Sequence, residues 1–297
     1  MSISSFLRWL FPSRFSRHAA VTVLTLFALA WSQPALGGEI HDAAAAGNLE
    51  VVRALVKDKP LLVFSRDQYG RTPLHWAAEE GHKDVAELLL ANQAKVDAID
   101  NFGHTALHWA AASGRKDVAE MLLADKANVN ARDYPHAKDY HVPQDLQMDP
   151  EKPAGLMQLA TEAKVHTWGE GGETPLHWAV QKGHKDMAQL LLANQAKVNA
   201  KDLHGHTPLH WTAMLDSRDM AELLLAHQAM VNARDNVGGT PLHYAALNGY
   251  MDMAELLLAH QAKVNARDKV GDTPLHVAMA FGHQDLVDFL RHHGGRI

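Results

Sequence analysis

The stretch Thr72–Ala78 reads TPLHWAA. It returns as TALHWAA at Thr105–Ala111, TPLHWAV at Thr174–Val180, TPLHWTA at Thr207–Ala213, TPLHYAA at Thr240–Ala246 and TPLHVAM at Thr273–Met279. Outside the interval between the second and third copies the spacing is 33 residues. An apolar run follows each copy in phase, as in DVAELLLANQAKVDA at Asp84–Ala98. A fixed period of this length marks an array of one supersecondary unit. Each unit is too small to bury its own apolar face and does so on its neighbours.

The unit Asp67–Ile99 shows how one period folds. Asp67-Gln68-Tyr69-Gly70 is a turn, with Gly70 suited to positive φ. Thr72 is a good helix N-cap, and Pro73 at the first helical position needs no amide donor. Leu74, Ala77 and Ala78 share one helical face. Gly81 stops that short helix, and Asp84 suits the positive end of the next. Val85, Leu88 and Leu89 give the second helix its apolar stripe. Neither helix is long enough to stand alone in water, so stability comes from stacking.

The T-P-L-H-x-A signature at this period resembles the ankyrin repeat, and the resemblance covers nearly all of the chain after residue 38. It implies an all-α solenoid of stacked helix-turn-helix units with β-turn tips. It also implies that His75, His108, His177, His210, His243 and His276 hydrogen-bond the backbone between units rather than act as general bases. His82, His184 and His283, after the helix-stopping glycine, are structural by the same reasoning. One departure stands out. Where ankyrin repeats place Gly after the second helix, this chain has Gln93, Lys126, Gln195, Gln228 and Gln261, and only the last unit keeps it, as Gly294.

The ends and the middle are irregular. Residues 38–66 read as a degenerate capping repeat that keeps Gly47, Val51, Val52 and Leu55 but lacks T-P-L-H. Full repeats follow at 67–99 and 100–132, then at 169–201, 202–234 and 235–267, with a C-terminal cap at 268–297. The interval from Thr105 to Thr174 is 69 residues, one period plus 36. Met157, Leu159, Ala160, Ala163, Lys164 and Val165 stand 33 residues before the matching positions Leu190–Val198. The segment 133–168 therefore reads as a degenerate repeat whose second helix survives near 154–162 and whose first is replaced by a long loop, 134–153.

The first 37 residues lie outside the repeat. Arg8, Arg14 and Arg17 precede the apolar stretch Ala19–Trp31, and Pro34, Ala35, Leu36 and Gly37 follow. Basic, apolar, small is the layout of a secretory signal peptide. Its 13-residue apolar core falls short of the ~20 residues of a membrane-spanning helix. Cleavage near Gly37 is expected, leaving no stable membrane anchor. Loss of three arginines and no acid takes the formal net charge from −6 to −9. That balance speaks against binding that rests on phosphate neutralisation, so no nucleic-acid partner is expected. The absence of cysteine rules out disulfides, a thiolate nucleophile and a Cys-based zinc site. Export without cysteine fits a bacterial periplasm, or secretion, better than a disulfide-rich eukaryotic domain.

The expected function is non-enzymatic: a monomeric, exported scaffold that holds a folded protein. The reading needs neither cofactor nor metal. Nucleophile motifs, a Gly-rich phosphate loop and a His-Glu-x-x-His pattern are missing. His227, His260 and His293 share one phase but sit in three successive units, too far apart for one zinc ion. Trp76, Trp109, Trp178, Trp211 and Tyr244 hold one phase of the first helix, about 200° round from the core leucine, toward the concave side. They are either interface anchors or packing that closes the groove wall. The tips vary and complete the candidate face with Tyr69, Arg71, Phe102, His104, His204 and His206, and the loop adds Tyr134 and Tyr140. Alternatives are a secreted effector acting on a host protein, an envelope spacer, and a metal or enzymatic site in the loop.

Overall fold

The computed structural model describes residues 38–134 and 171–297. Among them are α-helices and turns with one isolated β-bridge, between Ile99 and Thr105. The helices pair into layers. The first is α1 (Gly38–Ala45) with α2 (Leu49–Asp58), followed by a 3-10 turn at Pro60–Phe64. Then come α3 (Pro73–Glu80) with α4 (Lys83–Ala91), and α5 (Ala106–Ala112) with α6 (Lys116–Ala124). The remaining layers are α7 (Pro175–Gln181) with α8 (Lys185–Ala193), α9 (Pro208–Met214) with α10 (Arg218–Ala226), α11 (Pro241–Asn248) with α12 (Met251–Ala259), and α13 (Pro274–Ala280) with α14 (Gln284–His292). Each first helix packs on the first helices of the layers beside it, and each second helix does the same in its own row. The core is therefore a continuous strip, not a ball. Leu74, Leu107, Leu176, Leu209, Leu242 and Leu275 run through it, all buried.

The T-P-L-H histidines carry the layer-to-layer bonding that the resemblance implies. In each of the six first helices after α1 the Thr backbone N–H donates to the His Nδ1, at 3.0 Å for Thr72 and His75. Accepting at Nδ1 leaves the proton on Nε2. That N–H donates to the next layer's carbonyl: His75 to His104 at 3.0 Å, His108 to Glu173 at 3.3 Å, His177 to His206 at 3.3 Å, His210 to Gly239 at 3.4 Å and His243 to Asp272 at 3.1 Å. His82, His184 and His283 bond in the opposite direction, to the carbonyls of Ala45, Ala112 and Leu247. Their rings lie against Gly47, Gly114 and Gly249, whose φ values of 69°, 67° and 74° and lack of Cβ make the room.

The interval of 69 residues resolves differently from a stacked repeat. The α5–α6 layer packs directly on the α7–α8 layer, and among the described residues no layer lies between them. The turn that feeds α7 begins at Asp133, not at Gly169. The Asp133 N–H donates to Glu173 O at 3.0 Å, as Asp100 does to His104 O at 2.9 Å in the preceding tip. Tyr134 N–H donates to Phe102 O, and Leu203 N–H donates to Gly171 O, which continues the tip-to-tip ladder without a gap. Tyr134 and Gly171 thus hold consecutive places in one turn, and residues 135–170 are inserted there. The second helix expected near 154–162 lies outside the described residues, as does Tyr140. Excising 135–170 would leave Asp133-Tyr134-Gly171-Gly172-Glu173-Thr174, the same Asp-x-x-Gly-x-Thr pattern as Asp67–Thr72. The deletion variant is expected to keep its helical circular dichroism and to melt within about 5 °C of the parent, because loop length enters chain entropy only logarithmically. Loss of cooperative melting would show that the inserted residues are needed to build the stack.

Candidate partner-binding surface

Each tip is organised by its leading aspartate. Asp100 Oδ1 accepts the backbone N–H groups of Phe102 and His104, at 2.8 and 3.0 Å, and closes the turn. Asp67, Asp202, Asp235 and Asp268 do the same in their own tips. In five of the tips the other carboxylate oxygen takes the polar edge of the aromatic ladder. Trp76 Nε1 donates to Asp67 at 3.0 Å, Trp109 to Asp100 at 3.2 Å, Trp178 to Asp133 at 3.0 Å and Trp211 to Asp202 at 3.2 Å, and Tyr244 Oη donates to Asp235 at 2.7 Å. One carboxylate thereby fixes both a turn and a ring. The aspartate's double role was missed in the sequence, although its signal is there in four units: an Asp five residues before the helix-capping Thr, with an aromatic four residues beyond it, as in Asp67, Thr72 and Trp76.

The residue before the capping Thr sets the charge between layers. His104 lies between two aspartates, Nδ1 at 3.0 Å from Asp100 Oδ2 and Nε2 at 3.7 Å from Asp133 Oδ2. Its ring packs edge-on against Trp109 and Trp178, with centroids at 5.3 and 4.8 Å. His206 repeats the arrangement between Asp202 and Asp235, and its Nε2 lies 3.0 Å from the Tyr244 hydroxyl. Hydrogen bonds and coulombic attraction from His206 hold the Asp202 carboxyl far below its ordinary pKa, against the opposing effect of burial. In the first full layer the position is Arg71. Its guanidinium sits 3.6 Å from the Trp109 ring centroid and 4.8 Å from that of Trp76, with Tyr69 at 5.9 Å. It also pairs with Glu79 at 2.9 Å, whose carboxyl is raised by its own burial despite that pairing.

The candidate residues separate along the stack. Tyr69, Phe102 and Tyr134 are exposed at 48%, 50% and 60%. Arg71, Trp76, Trp109 and His204 are half-buried. His104, Trp178, His206, Trp211 and Tyr244 are buried. For these five, a place on a contact surface is corrected by the structure: their rings are covered by the neighbouring layers, and those of Trp178, Trp211 and Tyr244 are turned onto the tip aspartates. Exposed and buried aromatics are thus divided by position, with aromatic surface at the amino-terminal tips and aromatic core beyond. Among the described residues no three His, Cys, Asp or Glu side chains converge as a metal site requires. His227, His260 and His293 cap α10, α12 and α14, one per layer. Among the described residues no helix is long and apolar enough to cross a membrane.

Stacked helix pairs joined by aspartate-led tips, with each layer bonded to the next through a Thr–His pair, define an ankyrin solenoid. The ankyrin-repeat family profile matches three times, over residues 40–133, 155–235 and 231–297, and the chain belongs to that family. The second match takes in residues on both sides of Gly171. Similar curated proteins include protein phosphatase 1 regulatory subunit 27 of Homo sapiens, 36% identical over 85 residues, which are 29% of this chain and 51% of that protein. Osteoclast-stimulating factor 1 of Monopterus albus is 47% identical over 58 residues, 20% of this chain and 26% of that one. Acyl-CoA-binding domain-containing protein 6 of Danio rerio is 43% identical over 53 residues, 18% of each chain. The chain thus spans about half or less of the length of these relatives. What they share with it is the repeat, a module for protein–protein interaction that is generally not enzymatic.

Proposed function

We propose that this protein is an exported, non-enzymatic scaffold that binds a folded protein partner over its amino-terminal tips and the groove below them. The observation that carries the reading is the set of exposed aromatics Tyr69, Phe102 and Tyr134 on three successive tips, together with the Arg71–Trp76–Trp109 stack. Aromatic and arginine side chains dominate binding energy where they cluster. Here Trp76 and Trp109 are prealigned by Asp67 and Asp100, so those two side chains have little freedom left to lose on association. Export rests on the basic, apolar and small-residue order of residues 1–37.

A photo-crosslinking residue placed at Phe102 is expected to trap one specific protein in the native host. The Tyr69→Ser/Phe102→Ser/Tyr134→Ser variant should lose at least about tenfold in affinity, the scale of one or two interface anchors. Equal trapping from a crosslinker at Lys83, on the outer helix row, would remove the tips from the function. Recovery of the intact chain from Met1 in the exported fraction would refute cleavage.

A further inference from the structure

The residue that ends each period, just before the tip aspartate, forms a second column along the stack: Arg66, Ile99, Arg132, Lys201, Arg234 and Arg267. Five of the six are cations, and all five are exposed. They are held in a row by the backbone. Arg66 Nη1 donates to Ile99 O at 2.6 Å, Arg132 Nη2 to Lys201 O at 2.6 Å and Lys201 Nζ to Arg234 O at 2.7 Å, and Arg234 Nη2 donates to Arg267 O. Each of these four side chains thus reaches the carbonyl of the next member of its own column, one layer on, while Arg267 donates to Gly271 O in its own tip. Among the described residues none of the five is within ion-pair distance of a carboxylate, and the exposed acids that do form ion pairs are paired with cations outside this column. A guanidinium has five N–H donors, so one or two bonds to carbonyls leave the rest facing water. Arg66 also shares a groove of about 320 Å³ with Lys95, walled by Val63 and Phe64. The positions equivalent to Lys95 in later layers include Lys197, Lys263 and Arg296. This concentration of cations stands on a chain whose formal net charge is −6.

We propose that this column docks an extended acidic segment of the partner protein, one that presents a carboxylate at about every third residue. The inference rests on the scaffold reading above and names the chemistry of its partner. Successive layers are about 8–10 Å apart. An extended polyproline II strand advances about 3.1 Å per residue with three residues per turn, so every third side chain falls on one face about 9.3 Å from the last. Carboxylates at that spacing meet one cation per layer over the unbroken run Arg132, Lys201, Arg234 and Arg267, and arginine binds them through paired N–H groups. Cations fixed to the frame by their own hydrogen bonds lose little freedom on binding.

The test is fluorescence anisotropy at low salt with a labelled eighteen-residue Glu-Pro-Pro repeat. The comparisons are a peptide of the same composition with its glutamates in one block, and an oligothymidylate of equal length. The spaced peptide is expected to bind at least about fivefold tighter than the block peptide and to weaken steeply with added salt. Arg132→Gln/Lys201→Gln/Arg234→Gln should weaken it at least about tenfold, while Lys83→Gln/Lys116→Gln/Lys185→Gln should leave it within about twofold. Lys201→Gln alone, expected to cost about threefold, keeps the test open if the triple variant melts early. Equal affinity for the two peptides, equal sensitivity to the outer-row variant, or tighter binding of the oligonucleotide through the same residues would overturn the proposal. A partner still trapped at Phe102 when the column is neutralised would exclude the column while leaving the tip surface as the binding face.

Discussion

Lowering the pH from 7 to 5 is expected to destabilise the solenoid by several kcal/mol, with unfolding taking up about four to five protons per chain. The cause is the histidine row. His75, His108, His210 and His243 are buried with Nδ1 accepting and Nε2 donating. Burial pushes the pKa of His75 and His243 down to about 4, and that of His108 and His210 down to about 3. Burial lowers His177 in the same way. A histidine in the unfolded chain titrates near 6.5. Between that value and the folded one, only the unfolded chain binds the proton. Folding stability therefore falls as pH falls, by about 1.4 kcal/mol per unit for each histidine. Four histidines a unit and a half below 6.5 account for about 8 kcal/mol, comparable with the whole stability of an ordinary domain.

Acids shift this balance in both directions. Burial raises the carboxyls of Asp133, Asp268 and Glu79. These take up protons more readily when folded, so they return some stability in the same window. Asp100 and Asp202 are lowered by their histidine neighbours, and their contribution is lost only further into acid. Urea titrations at pH 7, 6 and 5, read by circular dichroism, give the slope directly. A stability independent of pH over that range would mean that the histidines protonate in place and that the Thr–His bonding is wrong.

The repeat made most of the frame legible before any coordinate. Thr72, Pro73, Leu74 and Gly81 each specify one local event, and their recurrence in five or six of the units removes the ambiguity of any single short helix. Two features escaped for physical reasons. Met157–Val165 copies the second-helix pattern of Leu190–Val198, so periodicity alone cannot say whether that copy or the true neighbour fills the next layer. Backbone pairing decides it: Asp133 joins Glu173, and the two flanking layers touch. The aromatic phase was equally plain, but phase gives direction and not depth. Trp109 and Trp178 occupy the same place in their helices and both donate to an aspartate, yet Trp109 is half-buried and Trp178 buried. Their covering depends on which side chains the adjacent layers bring, which is Arg71 for one and His104 for both.

Replacing Gln93, Lys126, Gln195, Gln228 and Gln261 together by glycine is expected to raise the melting temperature by about 10 °C. All five stand at φ between 65° and 70°, in the left-handed region. The reason is the end of each second helix. Gln93 N–H donates to Leu90 O at 2.9 Å and Ala94 N–H reaches back to Leu89 O at 3.0 Å, a helix stop that requires a left-handed residue at that place. A Cβ there crowds the following carbonyl by about 1–2 kcal/mol, partly offset by the greater freedom glycine has when unfolded. A net gain of about 0.5–1 kcal/mol per site remains, and sites in separate layers should add. The side chains have nothing to lose. All five are exposed, and among the described residues none of them makes a side-chain hydrogen bond. The bonds made at three of these positions use the backbone carbonyl, as when Asn130 Nδ2 donates to Gln195 O, and glycine keeps them. The last layer shows the substitution already in place, with Gly294 at φ 85° accepting from Asn265. Nothing in the structure explains why glutamine is used elsewhere. Asn92→Gly supplies the contrast. It is the adjacent residue at φ −98°, with a side-chain bond to Leu88 O, and its replacement should lower the melting temperature. If both kinds of substitution moved the melt in the same direction, backbone strain at the helix ends would not be what limits this stack.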